Sequence, residues 1–231
     1  MKRTHDEFYL SENNKSVKQV FVEVANIIEQ GEFSSIADVG CATGAFPNYL
    51  KFRFPDANVI GIEYLESLLN KASKDFSNIS FIKGNVLDRD SIKDKYDVVT
   101  MCGVLSIFDD YCHALDNVLS WVKPKGKLIL HNMISEYDID VFVKYKPSSL
   151  KVDYNELESG WNIISKKSLK LVAEKNNASL TLCKSFTLKV NLDKQKDIMR
   201  SWTEENISGE KDIFNALHIR QPHKIAVIEK L

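Results

Sequence analysis

The chain has almost no net charge: 31 lysines and arginines stand against 32 aspartates and glutamates, leaving −1 with histidine neutral. That balance supplies no overall attraction to nucleic acid or to an anionic membrane. Cysteine is scarce as well. Cys41, Cys102, Cys112 and Cys183 form neither a C-x-x-C pair nor a zinc-ligand spacing, so free thiols in a reducing compartment and no metal site are expected. No run approaches the roughly 18 apolar residues of a membrane span. Met1-Lys2-Arg3-Thr4-His5-Asp6-Glu7 leads into no apolar core of the signal-peptide kind. A cytoplasmic location is the expectation. Repeats, low-complexity tracts and interdomain linkers are also missing, and 231 residues, 44% of them apolar, suffice for one domain over residues 1–231.

What is present is an alternation of two hydrophobic periods. Val17, Val20, Phe21, Val24, Ile27 and Ile28 recur at helical spacing, predicting an amphipathic helix over residues 15–30 that Gly31 stops. Residues 1–34 then read as an N-terminal helical cap. Next, Ser35-Ile36-Ala37-Asp38-Val39-Gly40-Cys41-Ala42-Thr43-Gly44 is a short apolar run with a carboxylate, followed by a turn between two glycines and a helix start. Asn58-Val59-Ile60-Gly61-Ile62-Glu63 repeats the pattern as a second strand closing on an acid, with a helix over 65–76 behind it. Residues 78–83 and 96–101 predict the third and fourth strands. A helix over 109–122 ends at the breaker cluster Lys123-Pro124-Lys125-Gly126-Lys127, before a fifth strand over 127–130.

Strands and helices in this rhythm imply a doubly wound α/β fold, a mostly parallel sheet with helices on both faces. Residues 35–131 form its core. A helix over 166–176, a sixth strand over 179–190 and a last strand over 223–228 continue it. Residues 132–164 and 191–220, one before and one after the sixth strand, read as insertions folded over the sheet. Asp38, Glu63, Asn85, Cys102 and His131 fall at or just after strand ends, where open α/β sheets bind ligands.

The loop Asp38-x-Gly40-x-x-x-Gly44 is not the G-x-G-x-x-G of nicotinamide-binding folds, which argues against an NAD-dependent oxidoreductase. Its glycines permit positive φ and close backbone approach, while the leading carboxylate suits a cationic amino group better than a pyrophosphate. Glu63 is placed to accept from vicinal ribose hydroxyls; the competing reading is an acid at a helix N-terminus. Asn85 and Val86 suit an adenine edge and face, with Asp88 in reserve.

In order and spacing, residues 36–50, 59–64, 81–88, 96–104 and 118–130 resemble the five successive motifs of class I S-adenosylmethionine-dependent methyltransferases. The resemblance implies a seven-stranded sheet whose last strand is antiparallel, and S-adenosylmethionine as cofactor, with S-adenosylhomocysteine as product. It also implies that Asp38, Gly40, Cys41, Ala42 and Gly44 hold the methionine part, Glu63 the ribose and Asn85 with Val86 the adenine. Tyr64 joins the cofactor contacts, and Cys102, Gly103 and Val104 line the floor near the sulfonium. Met101-Cys102-Gly103-Val104 lacks the Asn/Asp-Pro-Pro-Tyr/Phe signature of enzymes that methylate base or glutamine nitrogens.

Several side chains carry two readings. His131 is either a general base for an acceptor hydroxyl or amine, or a hydrogen-bonded histidine holding its loop. His113 faces the pocket or the surface, and His5 lies near a segment able to fold over the site. Phe8 and Tyr9 either cap the sulfonium with an aromatic face or staple the next helix. Tyr145, Trp161 and Trp202 are acceptor-pocket walls or plain packing of the insertions. The expected function is methyl transfer to a small-molecule acceptor such as a sugar or another hydroxyl- or amine-bearing metabolite. The alternatives are an RNA or protein methyltransferase and a non-catalytic cofactor-binding module.

Overall fold

The computed structural model describes residues 9–10 and 17–231, so His5 and Phe8 lie outside the described residues. Helix α1 (Gln19–Ile28) turns Phe21, Val24, Ala25, Ile27 and Ile28 inward and leads to β1 (Ser35–Val39). All five residues of β1 are buried, as a strand covered on both faces requires. The chain continues through α2 (Ala45–Arg53), β2 (Asn58–Glu63), α3 (Glu66–Asp75), β3 (Ser80–Lys83), β4 (Tyr96–Cys102) and α4 (Tyr111–Ser120) to β5 (Val122–Ser135). The pairs β6 (Lys144–Tyr145) with β7 (Glu158–Ser159) and β10 (Trp202–Glu205) with β11 (Lys211–Phe214) form two small antiparallel ribbons. Between them lie β8 (Ile164–Ser165), α5 (Lys166–Lys175) and β9 (Ala178–Ser185), and β12 (His223–Lys230) closes the chain.

The main sheet runs β3-β2-β1-β4-β5-β12-β9, and β8 adds a short pairing to the end of β5. The pairs among β1 to β5 are parallel, and β12 enters antiparallel to both β5 and β9. This is the expected sheet, with the last strand inserted between the fifth and the sixth. Alternation along each strand divides the interior in two. Ala37, Leu128, Leu130, Ala226 and Ile228 face α4 and α5, while Ile36, Ile129, Ile225 and Val227 face α1 and α2. Burying one such leucine, isoleucine or valine side chain contributes about 1.5–3 kcal/mol, so both helical layers are firmly tied to the sheet.

Two boundaries differ from the sequence reading. β5 begins at Val122 and runs to Ser135, straight through the breaker cluster. Lys125 takes φ 61°, and pairing with β4 shifts from Tyr96↔Val122 to Val98↔Lys127, so a bulge absorbs the extra residues instead of ending the strand. β9 stops at Ser185, because Phe186 leaves the sheet edge for the α1 side of the core. The two insertions are the stretches that carry the small ribbons. Among the described residues, no helix is long and apolar enough to cross a membrane.

Candidate active site

At the carboxyl edge of β1, β2 and β4, a cavity of about 750 Å³ opens between the sheet and the two insertions. This size lies inside the range of about 300–1,000 Å³ usual for small-molecule sites. Its floor comes from strand ends: Gly40 and Ala42 after β1, Glu63 and Tyr64 after β2, Asn85 and Val86 after β3, and Cys102, Gly103 and Val104 after β4. Tyr9 reaches it from the N-terminal segment, and Tyr145 and Trp161 from the first insertion. Twelve of the residues singled out from the sequence therefore meet in one space.

Hydrogen bonds hold this floor rigid. The N–H groups of Gly40 and Cys41 both donate to Ile62 O, at 2.8 and 3.1 Å, folding the glycine loop back over β2. Glu63, 8% exposed, accepts from Ala42 N at 3.0 Å with Oε2, and from Tyr64 N and Leu65 N at 2.8 and 2.9 Å with Oε1. Its carboxylate thus shapes the loop and the turn that leads into α3 while bordering the cavity. Asn85 spends its side-chain carbonyl on Leu87 N at 3.0 Å, which fixes the turn that presents Val86. Gly103 donates to His131 O at 2.7 Å and takes φ 73°; a Cβ there would meet nothing within 4 Å, so the backbone borders open space.

Asp38, Cys41 and Gly44 stand behind the lining. Asp38 is 3% exposed and accepts from Thr100 Oγ1 at 2.7 Å. Burial raises its pKa to about 7, against the lowering effect of the Thr100 hydrogen bond and with help from the nearby Glu63 charge. Burial, reinforced by Asp38, also pushes the Cys41 and Cys102 thiols well upward, so neither is poised as a thiolate. Gly44, φ 83°, starts α2, and the ring of Phe81 packs where its Cβ would stand.

Three other side chains are directed elsewhere. His131 is not at a strand end, because β5 continues to Ser135; alternation points its ring to the α1 face. There it packs edge-on against Phe186 at 4.7 Å and stacks on His223 at 4.9 Å. Its Nε2 is buried with no partner among the described residues, and burial together with His223 lowers its pKa to about 3. His113 is exposed on α4, with Nε2 3.1 Å from Leu87 O, behind the adenine-side turn. Trp202 is buried in β10, bonded through Nε1 to Glu204 Oε1 at 2.8 Å and covered by Lys194.

The wall also contains residues that the sequence did not single out. Ser106, Ile107 and Phe108 follow β4, and Met199, Arg200 and Ser201 precede Trp202. The signal for the latter group was present but misplaced by one or two positions, since the aromatic residue packs and its neighbours line the space. Arg200 lies over the Tyr9 ring at 4.6 Å, which brings the N-terminal segment and the second insertion together above the floor. The first insertion is anchored by Asn162, fully buried, which accepts from Val143 N at 2.8 Å and donates to Phe108 O at 3.1 Å. Tyr145 and Trp161 meet edge to face at 5.6 Å on top of that anchor.

Residues 36–126 match a family model described as a methyltransferase domain. The chain is 23% identical over 176 residues to malonyl-[acyl-carrier protein] O-methyltransferase 2 of Ilyobacter polytropus, covering 74% of this chain and 64% of that protein. It is 27% identical over 93 residues to trans-aconitate 2-methyltransferase of Yersinia pseudotuberculosis, covering 40% of this chain and 36% of that one. The chain therefore spans less than two thirds of the length of these curated relatives. Among solved structures, the N-methyltransferase NodS of Bradyrhizobium japonicum, in complex with S-adenosyl-l-homocysteine, shares the fold with a TM-score of 0.59. That likeness is at 14% identity and covers 97% of this chain and 96% of that one. The methyltransferase-domain match starts in β1 and ends inside β5, so the matched residues are those that build the parallel half of the sheet.

Proposed function

We propose that the cavity binds S-adenosylmethionine along the floor and a small-molecule acceptor against the insertions, and that the chain transfers the methyl group between them. The observation that carries this reading is the meeting of Glu63, Val86 and Gly103 in one cavity that residues of both insertions, Tyr145, Trp161 and Arg200 among them, also line. The residues present fit such a cofactor. Glu63 borders the space with a carboxylate already oriented by three N–H groups, suited to a ribose diol. Val86 offers an apolar face for adenine, Gly40 and Ala42 a close backbone for the methionine part, and Gly103 a floor without a side chain.

When bound, S-adenosylmethionine supplies an electrophilic methyl group on a positively charged sulfur. The chain's own task is alignment and exclusion of water, which together supply most of the acceleration available to such a displacement. Tyr145, Trp161 and Tyr9 would shut the space from solvent, with Tyr9 able to face the cation. Asp38, beneath the loop, favours a cationic group above it by Coulomb attraction. No histidine lines the cavity among the described residues, so His131 is not carried forward as a base. A covered cavity suits a small or carrier-linked acceptor, in keeping with the names of the two relatives, better than an extended strand of RNA.

The experiment is a thermal melt with S-adenosylhomocysteine and, separately, NAD. A midpoint that rises only with the first supports the reading, since a ligand stabilises the state that binds it. A rise only with NAD, or with neither, refutes it.

A further inference from the structure

We infer that the acceptor has an apolar body, a flat ring or an alkyl chain, which lodges against Trp161 and the first insertion. The inference rests on the methyltransferase reading of the cavity and names the acceptor chemistry that the reading leaves open. Pro147, Leu150, Val152, Leu157 and Trp161 all border the cavity, and Leu150 keeps 50% of its surface exposed. Trp161 takes φ 59°, in the left-handed region that burdens a bulky side chain. Glycine, which bears that conformation without penalty, stands one residue earlier as Gly160. Bonds on both sides impose the conformation: Gly160 N–H donates to Val143 O at 3.3 Å, and Asn162 N–H donates to Ser106 O at 2.9 Å. The fold thus holds a strained backbone at the residue that places an indole on the cavity, edge to face with Tyr145 at 5.6 Å.

The polar groups that the two insertions bring to the cavity are engaged or enclosed. Lys146 Nζ donates to Leu150 O at 2.8 Å, and Glu156 Oε2 accepts from Asp153 N at 3.0 Å, so both side chains fold the first insertion onto itself. Ser159 donates its hydroxyl proton to Asp109 Oδ1, and Glu158 Oε1 is buried. On the second insertion, Arg200 Nε and Nη2 are buried as well, and Ser201 donates its hydroxyl proton to Gln221 Oε1 at 2.9 Å. A sugar brings a hydroxyl on nearly every carbon, and each one taken from water needs a partner to offset its desolvation. An apolar body makes no such demand, and it gains by removing Leu150 and the indole from water. Ile107 and Phe108, a few residues past Gly103, add to the apolar lining.

The test uses the full chain saturated with S-adenosylhomocysteine and titrated with N-phenyl-1-naphthylamine, an uncharged dye that brightens in apolar surroundings. Fluorescence should rise saturably, and Leu150→Asp and Trp161→Gly should each need at least about tenfold more dye. Affinity for S-adenosylhomocysteine by calorimetry should stay within about twofold in both variants. Indole or 1-octanol should displace the dye where glucose does not, and which of the two competes better separates a ring from a chain. The inference is overturned by no saturable rise, by a wild-type titration in either variant, or by an equal loss of S-adenosylhomocysteine affinity. Displacement by glucose, or by neither apolar competitor, overturns it as well. Should Trp161→Gly fail to fold, Leu150→Asp, at an exposed loop position, decides alone. Failure of the unmodified chain to bind S-adenosylhomocysteine overturns the methyltransferase reading itself, and this inference with it.

Discussion

The backbone N–H of Ala42 donates to Glu63 Oε2 at 3.0 Å, tying the loop after the first strand to the end of the second. One carboxylate therefore shapes the glycine loop and borders the proposed ribose position. Glu63→Ala should weaken S-adenosylhomocysteine binding about 10- to 100-fold, the roughly 1.5–3 kcal/mol of a lost charge-assisted hydrogen bond. Glu63→Gln should keep part of that affinity. Calorimetry giving unchanged affinity for Glu63→Ala removes the residue from the donor site.

His131 and His223 stack at 4.9 Å, and burial lowers their pKa values to about 3 and about 4, from 6.5. Between roughly pH 4 and 6.5 the unfolded chain binds protons that the folded chain refuses, so this pair makes stability rise with pH across that window. His131→Phe should flatten the rise, as read from melting midpoints at a series of pH values. In the same variant, the pH profile of turnover should keep its shape. Loss of one limb would restore His131 as the base.

Asp38 contributes with the opposite sign. Its pKa is raised from 3.8 to about 7 in the fold, so its stabilising effect is complete below 3.8 and disappears as pH rises through 7. Asp38→Asn retains an acceptor for Thr100 Oγ1 but does not titrate. Measured by urea unfolding with linear extrapolation, the variant should gain stability relative to the unaltered chain between pH 4 and 8. A difference that stays constant over that range refutes the raised pKa.

Gly40 and Gly103 both have positive φ, 71° and 73°, yet alanine should act differently at each. At Gly40 a Cβ would stand 2.4 Å from Val104 Cγ2, so strain and overlap add; the loss should be roughly 2–4 kcal/mol. At Gly103 only the backbone penalty of about 1–2 kcal/mol remains, because the methyl group points into open space. Gly103→Ala should therefore fold well and bind S-adenosylhomocysteine more weakly. Equal unfolding midpoints for the two variants would contradict the geometry.

Much of the floor was legible because it depends on local spacing. An acid at the end of β2 and glycines after β1 and β4 occupy positions that strand periodicity alone locates. Side-chain direction was harder to read. The apolar run places His131 just after a strand that ends at Leu130, but pairing with β12 and then β8 carries β5 on to Ser135. Inside a continuous strand His131 shares the face of Ile129, so the imidazole lies on the α1 side. For Trp202, with a wall reading and a packing reading in the sequence, the position in β10 decides for packing: the ring is buried, and Arg200 and Ser201 are left at the cavity.

The sequence by itself determined the α/β alternation, the strand ends and the loop that follows β1, since these follow from hydrophobic period and from glycines within a few residues of one another. Only the tertiary structure decided what covers the site. Arg200 and Tyr9 lie at opposite ends of the chain, and no short-range pattern encodes their meeting. It arises because β12 inserts between β5 and β9, returning the second insertion to the cavity edge. There the packing of two irregular segments, rather than any motif, selects which side chains face the ligand.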